Sequence, residues 1–82
     1  MYTTTFQLPT RLGTRRNQDP EALIRRILND CTERYPIDHY HVRGLGDRVN
    51  VTLFVIASDD TEAQLIGRLV SIDVTIRMNP DY

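Results

Sequence analysis

Ile72-Asp73-Val74-Thr75-Ile76-Arg77-Met78 alternates apolar and polar side chains without a break. A period of two puts one face of a strand into a core and the other toward solvent. The stretch therefore predicts a final strand with Ile72, Val74, Ile76 and Met78 facing inward and Asp73, Thr75 and Arg77 facing out. Just upstream, Asp59-x-x-Glu62 has capping-box spacing, with Asp in place of Ser or Thr, and Leu65, Ile66, Leu69 and Val70 supply the stripe of a short helix interrupted by Gly67. Before it, Val49, Val51, Leu53, Val55 and Ala57 form the cleanest apolar face in the chain, opposite Asn50, Thr52, Phe54 and Ile56. Gly44-Leu45-Gly46-Asp47 is a turn, and it makes this strand the partner of Ile37 to Arg43 in a hairpin. In that partner Tyr40 and Val42 are assigned to the core, while Ile37, His39, His41 and Arg43 share the other face.

The N-terminal half supplies one strand and one helix. Tyr2, Thr4, Phe6 and Leu8 alternate with Thr3, Thr5 and Gln7, and Pro9 follows where a strand should stop. From Thr10 to Gln18 periodicity is lost, and Gly13, Asn17 and three arginines gather in a predicted loop. Asp19-Pro20-Glu21 is a strong helix start, since Asp accepts early N–H groups, Pro needs none at the first position and Glu suits the dipole. Leu23, Ile24, Ile27, Leu28, Cys31 and Tyr35 then form one stripe, which Pro36 terminates. The order reads βαββαβ. In so short a chain it predicts an α+β, ferredoxin-like sandwich: a four-stranded antiparallel sheet with two helices on one face. Residues 1–82 read as one such domain, with 79–82 as a flexible tail.

Composition narrows the function classes. The 82 residues are 40% hydrophobic and 26% charged with a net charge of -1, which is globular composition and gives no generic electrostatic grip on nucleic acid. All ten basic residues are arginine, which removes lysine nucleophiles and Schiff bases. The single cysteine, Cys31, cannot form an internal disulfide or a Cys-rich metal site, and no cofactor motif is present. No apolar run approaches membrane-spanning length and no signal peptide is evident, so a cytoplasmic, membrane-free protein is expected. Residues 1–48 hold eight arginines against six acids and residues 49–82 two against five, an asymmetry that would aid docking only slightly.

Val51-Thr52-Leu53-Phe54-Val55-Ile56-Ala57-Ser58, Glu62-Ala63-Gln64-Leu65 and Leu69-Val70-Ser71-Ile72-Asp73-Val74 through Arg77-Met78 resemble the third strand, second helix and last strand of regulatory domains of the ACT type, and more narrowly of the YbeD-like family. The sequence departs from that family at the turn, where Gly44-Leu45-Gly46-Asp47 replaces a Gly-Asn-Tyr type. The resemblance implies a non-enzymatic, dimerising regulatory or interaction domain and supplies no catalytic residues. His39-x-His41, followed by Arg48-Val49-Asn50-Val51 and Asp60-Thr61-Glu62, is also similar to pterin-carbinolamine dehydratases, whose active sites are histidine-based. Those proteins follow the last motif with a helix, where a strand is expected here.

Three sites follow. The first is the sheet face opposite the helices, where Phe54 and Ile56 are rimmed by Thr3, Thr5, Gln7, Asn50, Thr52, Thr75, Arg77, His39, His41 and Arg43. A dry centre with a polar rim suits a protein partner, and Phe54, Ile56, Thr52 and Arg77 are its expected contacts. An RNA-reading sheet would need more stacking aromatics than Phe54. The second is the loop with Arg11, Gly13, Arg15 and Arg16, where guanidinium forks beside a helix N-terminus can hold an anion or small ligand; Asp19 opposes this. The third is His39 with His41, two imidazoles on one strand face that lack a local third metal ligand. Cys31 reads as a small core residue, and neither Ser58 nor Ser71 sits in a nucleophile elbow. The expected function is a non-catalytic module, homodimeric through its sheet face or a strand edge, that modulates a larger protein. A ligand sensor and a phage-type inhibitor of a host protein are the alternatives, and an enzyme using His39 and His41 is a third.

Overall fold

The structure, a computed structural model, describes residues 1–9 and 19–78. The arginine loop with Arg11, Gly13, Arg15 and Arg16 and the tail 79–82 lie outside the described residues. Five elements follow one another: β1 (Tyr2–Pro9), α1 (Pro20–Arg34), β2 (Ile37–Leu45), β3 (Arg48–Val55) and α2 (Asp60–Met78). The strands form one antiparallel sheet of order β1-β3-β2, so the last strand in the chain is the central one.

Local chemistry accounts for most boundaries. Asp19 caps α1, its Oδ1 accepting from the Glu21 N–H at 3.0 Å, with Pro20 in the first turn. Asp59 caps α2 in the same way, accepting from the Glu62 N–H at 2.8 Å. The hairpin between β2 and β3 turns through Gly46 and Asp47, and Gly46 holds φ of 63°, a conformation in which a Cβ would be strained. Leu45 and Arg48 close the hairpin as register partners. One register irregularity falls between Ile37 and His39, so that Asp38 is extra on β2.

The four-stranded sheet of a ferredoxin-like βαββαβ sandwich is not what forms. Among the described residues three strands are present, and residues 72–78, expected as the fourth, are the last two turns of α2. The alternation misleads because it satisfies both periods. Ile72, Val74, Ile76 and Met78 are spaced by two, but taken alternately they are two i,i+4 pairs on opposite sides of a helix. Val74 and Met78 are buried beside Ala63, Ile66, Gly67 and Val70, while Ile72 and Ile76 are half exposed. Nothing between Val70 and Ile72 stops a helix either, since Ser71 is the only residue there. The part of the chain that resembles the last strand of ACT-type domains is therefore helical.

Both helices cover one face of the sheet, α1 over β2 and α2 over β1. Between them lie Leu8 of β1, Ile37 of β2, Val49, Val51, Leu53 and Val55 of β3, and the inner stripes of the helices. Tyr40 and Val42 pack against this core as expected, half-buried. Tyr40 donates from its hydroxyl to Asn29 Oδ1 and to the Arg25 carbonyl, tying β2 to α1. At the outer seam the helices are joined by charge. Asp73 accepts from Arg34 and, at 3.1 Å, from Arg77, which also reaches Asp30.

Helix α2 packs tightly against β1 at Gly67. A Cβ there would lie 2.3 Å from Thr4 Oγ1 and 2.6 Å from its Cγ2. On an exposed helix Gly→Ala gains about 1 kcal/mol, but overpacking a tight contact costs about 1–3 kcal/mol. Gly67→Ala should thus lower the urea midpoint, and adding Thr4→Ala should restore it. A stabilised Gly67→Ala single variant would show that α2 stands further from β1.

Candidate functional site

The outer face of the sheet is built from three register rows. Thr3, Phe54 and His39 lie side by side, then Thr5, Thr52 and His41, then Gln7, Asn50 and Arg43. These residues share one face because each is two positions from the next, and the alternate residues of β3 are fully buried beneath them. Among the described residues no helix covers this face. Phe54 is half-buried and Ile56, just past the end of β3, is 60% exposed. Both therefore stand outside the core of the molecule, where the period-two reading placed them.

The rings form a cluster. His39 stacks on Phe54 with centroids 4.1 Å apart and planes 9° from parallel. His41 meets Phe54 edge-on at 5.4 Å, and the two imidazoles are 5.8 Å apart. Stacking spends one π-face of Phe54 on His39, so the cluster offers a ridge of ring edges rather than an open stacking platform. His39 Nδ1 is also 2.8 Å from Asp38 Oδ2, which fixes its orientation from the extra residue on β2. At the other end Arg48 donates to Gln7 Oε1 at 3.0 Å, and Thr5 and Thr52 face one another with hydroxyls 3.5 Å apart. Arg43 is exposed, and its guanidinium makes no ion pair among the described residues.

Arg77 does not belong to this face. Its strand is a helix, so it sits on the opposite layer in the Asp30–Asp73–Arg34 cluster, and Thr75 has moved with it. Burial raises the thiol pKa of Cys31 against the opposing hydrogen bond to Arg34, and its Sγ lies 3.8 Å from Asp73 Oδ2, so it is core rather than nucleophile. His39 and His41 are together, but among the described residues no three His, Cys, Asp or Glu side chains gather as metal ligands. No helix there is long and apolar enough to cross a membrane.

A second surface escaped the sequence reading. Leu65, Leu69, Ile72 and Ile76 are 44–54% exposed along the side of α2 away from the sheet. Their spacing of four, three and four is a continuous helical stripe, a signal visible in the sequence once residues 60–78 are read as one helix.

Protein-family models, curated proteins and solved structures were all compared with the chain. None matches. The likeness to ACT-type domains and to the dehydratases rests on the short segments quoted above.

Two measurements check the site and the seam beneath it. Asn50 Oδ1 is covered and has no hydrogen-bond partner among the described residues. Removing such an acceptor from a central strand, as in Asn50→Val, should stabilise the fold by about 1 kcal/mol, read by urea denaturation. Hydrogen bonding and charge from Arg77 lower the carboxyl pKa of Asp30, outweighing burial. Because the folded value is the lower one, its stabilisation is complete above the unfolded pKa of about 3.9 and is lost as the pH falls through the folded value. The urea midpoint of the wild type should fall in acid, and that of Arg77→Met should fall less.

Proposed function

We propose that the chain is a non-catalytic interaction module that docks the open face of its sheet onto a larger protein and modulates it. The observation that carries this reading is the ring cluster of Phe54, His39 and His41, with exposed Ile56 just beyond the end of β3, bordered by threonines on one side and by Arg43, which makes no ion pair among the described residues. An aromatic centre with an arginine beside it is the usual make-up of an interface hot spot. The partner surface would be apolar where it meets Phe54 and Ile56 and would bring a carboxylate to Arg43. Strand β1, which contributes Thr3, Thr5 and Gln7 to this face, pairs only with β3 among the described residues; it carries no charge over its eight residues, so its other edge suits a partner strand. The test compares proteins captured by the wild type, by Phe54→Ser/Ile56→Ser and by Arg43→Glu, each first shown to fold. A partner retained by the wild type and lost by both variants is expected. Identical capture by all three would remove the reading.

A second reading has one observation in its favour. One helix runs from Asp60 to Met78, so the strand expected at residues 72–78, after the short helix, no longer sets the chain apart from pterin-carbinolamine dehydratases, which follow the last motif with a helix. On this reading His39 and His41 act as a histidine-based active site. Turnover of a pterin carbinolamine by the wild type, lost in His39→Ala/His41→Ala, would favour it over the docking module, and no turnover by the wild type would end it.

A further inference from the structure

The exposed side of α2 points away from the sheet and from the surface discussed so far, and the inference drawn from it stands independently of the proposed function. Leu65, Leu69, Ile72 and Ile76 are each about half exposed, and a groove beside them has Ser71, Ile72, Thr75 and Ile76 in its described lining. Isolated apolar side chains on a surface need no explanation, but four in one helical stripe make a patch of a few hundred Å². The buried residues of α2, Ala63, Ile66, Gly67, Val70, Val74 and Met78, lie on the other side, so this helix is apolar on two opposite faces, of which the described residues cover one. Helices that are apolar on both sides are normally buried on both.

We propose that the stripe is covered by the α2 of a second copy of this chain, packed antiparallel about a two-fold axis. Two observations select this occupant. The spacing of four, three and four reads the same in either direction, so reversal about a point between Leu69 and Ile72 carries Leu65 onto Ile76 and Leu69 onto Ile72. Each leucine of one copy then meets an isoleucine of the other, as a self-complementary interface requires. The charges fix the direction. α2 begins with Asp60 and Glu62, and Arg77 in its last turn is bridged to Asp30 and Asp73 of its own copy, so antiparallel packing keeps the two acidic first turns apart and opposes the two helix dipoles. Parallel packing would bring the acidic turns together. One border of the stripe carries Thr61, Arg68 and Thr75 and the other Glu62 and Asp73, the latter already bridged to Arg34 and Arg77 of its own copy; antiparallel packing sets Arg68 near Thr75 across the axis without a like-charge clash. Doubled by symmetry, a patch of a few hundred Å² stays below the roughly 1,200 Å² at which standard specific interfaces begin, so the pairing is a weak, concentration-dependent one.

Sedimentation velocity and cysteine cross-linking test this. The wild type should sediment as a dimer at about 100 μM and dissociate on dilution. Leu69→Glu and Ile72→Lys, each with an unchanged circular dichroism spectrum, should separately weaken the dimer at least tenfold. Mixed together they should re-form it, because antiparallel packing sets each Glu against a Lys, whereas parallel packing would not. Leu65→Cys mixed with Ile76→Cys should give a disulfide-linked pair on mild oxidation, while either alone should not; the native Cys31 is buried and remains out of reach. A monomeric wild type at that concentration, a dimer indifferent to both charged variants, or cross-linking by Leu65→Cys alone would each overturn the proposal. A dimer abolished by Phe54→Ser/Ile56→Ser and untouched by Leu69→Glu would place self-association on the sheet and also overturn it.

Discussion

The inner side of β3 governs the architecture. Val49, Val51, Leu53 and Val55 are at most 1% exposed, and their strand is the middle one, so cover must come from above rather than from the flanks. Eight strand residues extend about 26 Å. A helix of nineteen residues is about 28 Å long, enough to run the full length of the sheet in one piece. Had residues 72–78 joined the sheet, α2 would have been too short to close that layer. The core thus obtains its roof by lengthening a helix instead of adding a strand, and the three-stranded sheet is the result.

Much of this arrangement is legible in the residues themselves. Asp19-Pro20-Glu21 announces α1, the valines of β3 announce a strand with one buried face, and Gly46 marks the hairpin. In each of these places propensity, capping and period agree. They agree also on Phe54 and Ile56, which follow the buried valines in strict alternation and emerge on the other side. Agreement fails after Val70. β-branched residues with a period of two argue for a strand, yet the same residues at intervals of four serve a helix, and only the demand of the core for cover decides between them. The misplacement of Arg77 follows directly, as does the failure to see Leu65, Leu69, Ile72 and Ile76 as one surface. Gly67, which reads as an interruption, is instead the residue that lets α2 settle against Thr4.

The two exposed surfaces are on opposite layers of the molecule. A back-to-back pair joined through α2 would carry its sheets outward, facing away from one another, with Phe54 and Arg43 displayed twice. Such an object is bivalent: a partner with two suitable sites, or two partners, would be held at an effective concentration that neither copy achieves alone. The burden on each sheet face is then lighter, which suits a cluster as small as Phe54, His39 and His41.

The seam between the helices is of a different kind from the sheet below. Strands are held by backbone ladders that ions barely affect, but Asp30, Arg34, Asp73 and Arg77 meet at the rim, where dissolved ions screen them. Rising ionic strength therefore weakens the charged joint between the helices and leaves the ladders of the sheet, and the apolar core that both helices share, as they are.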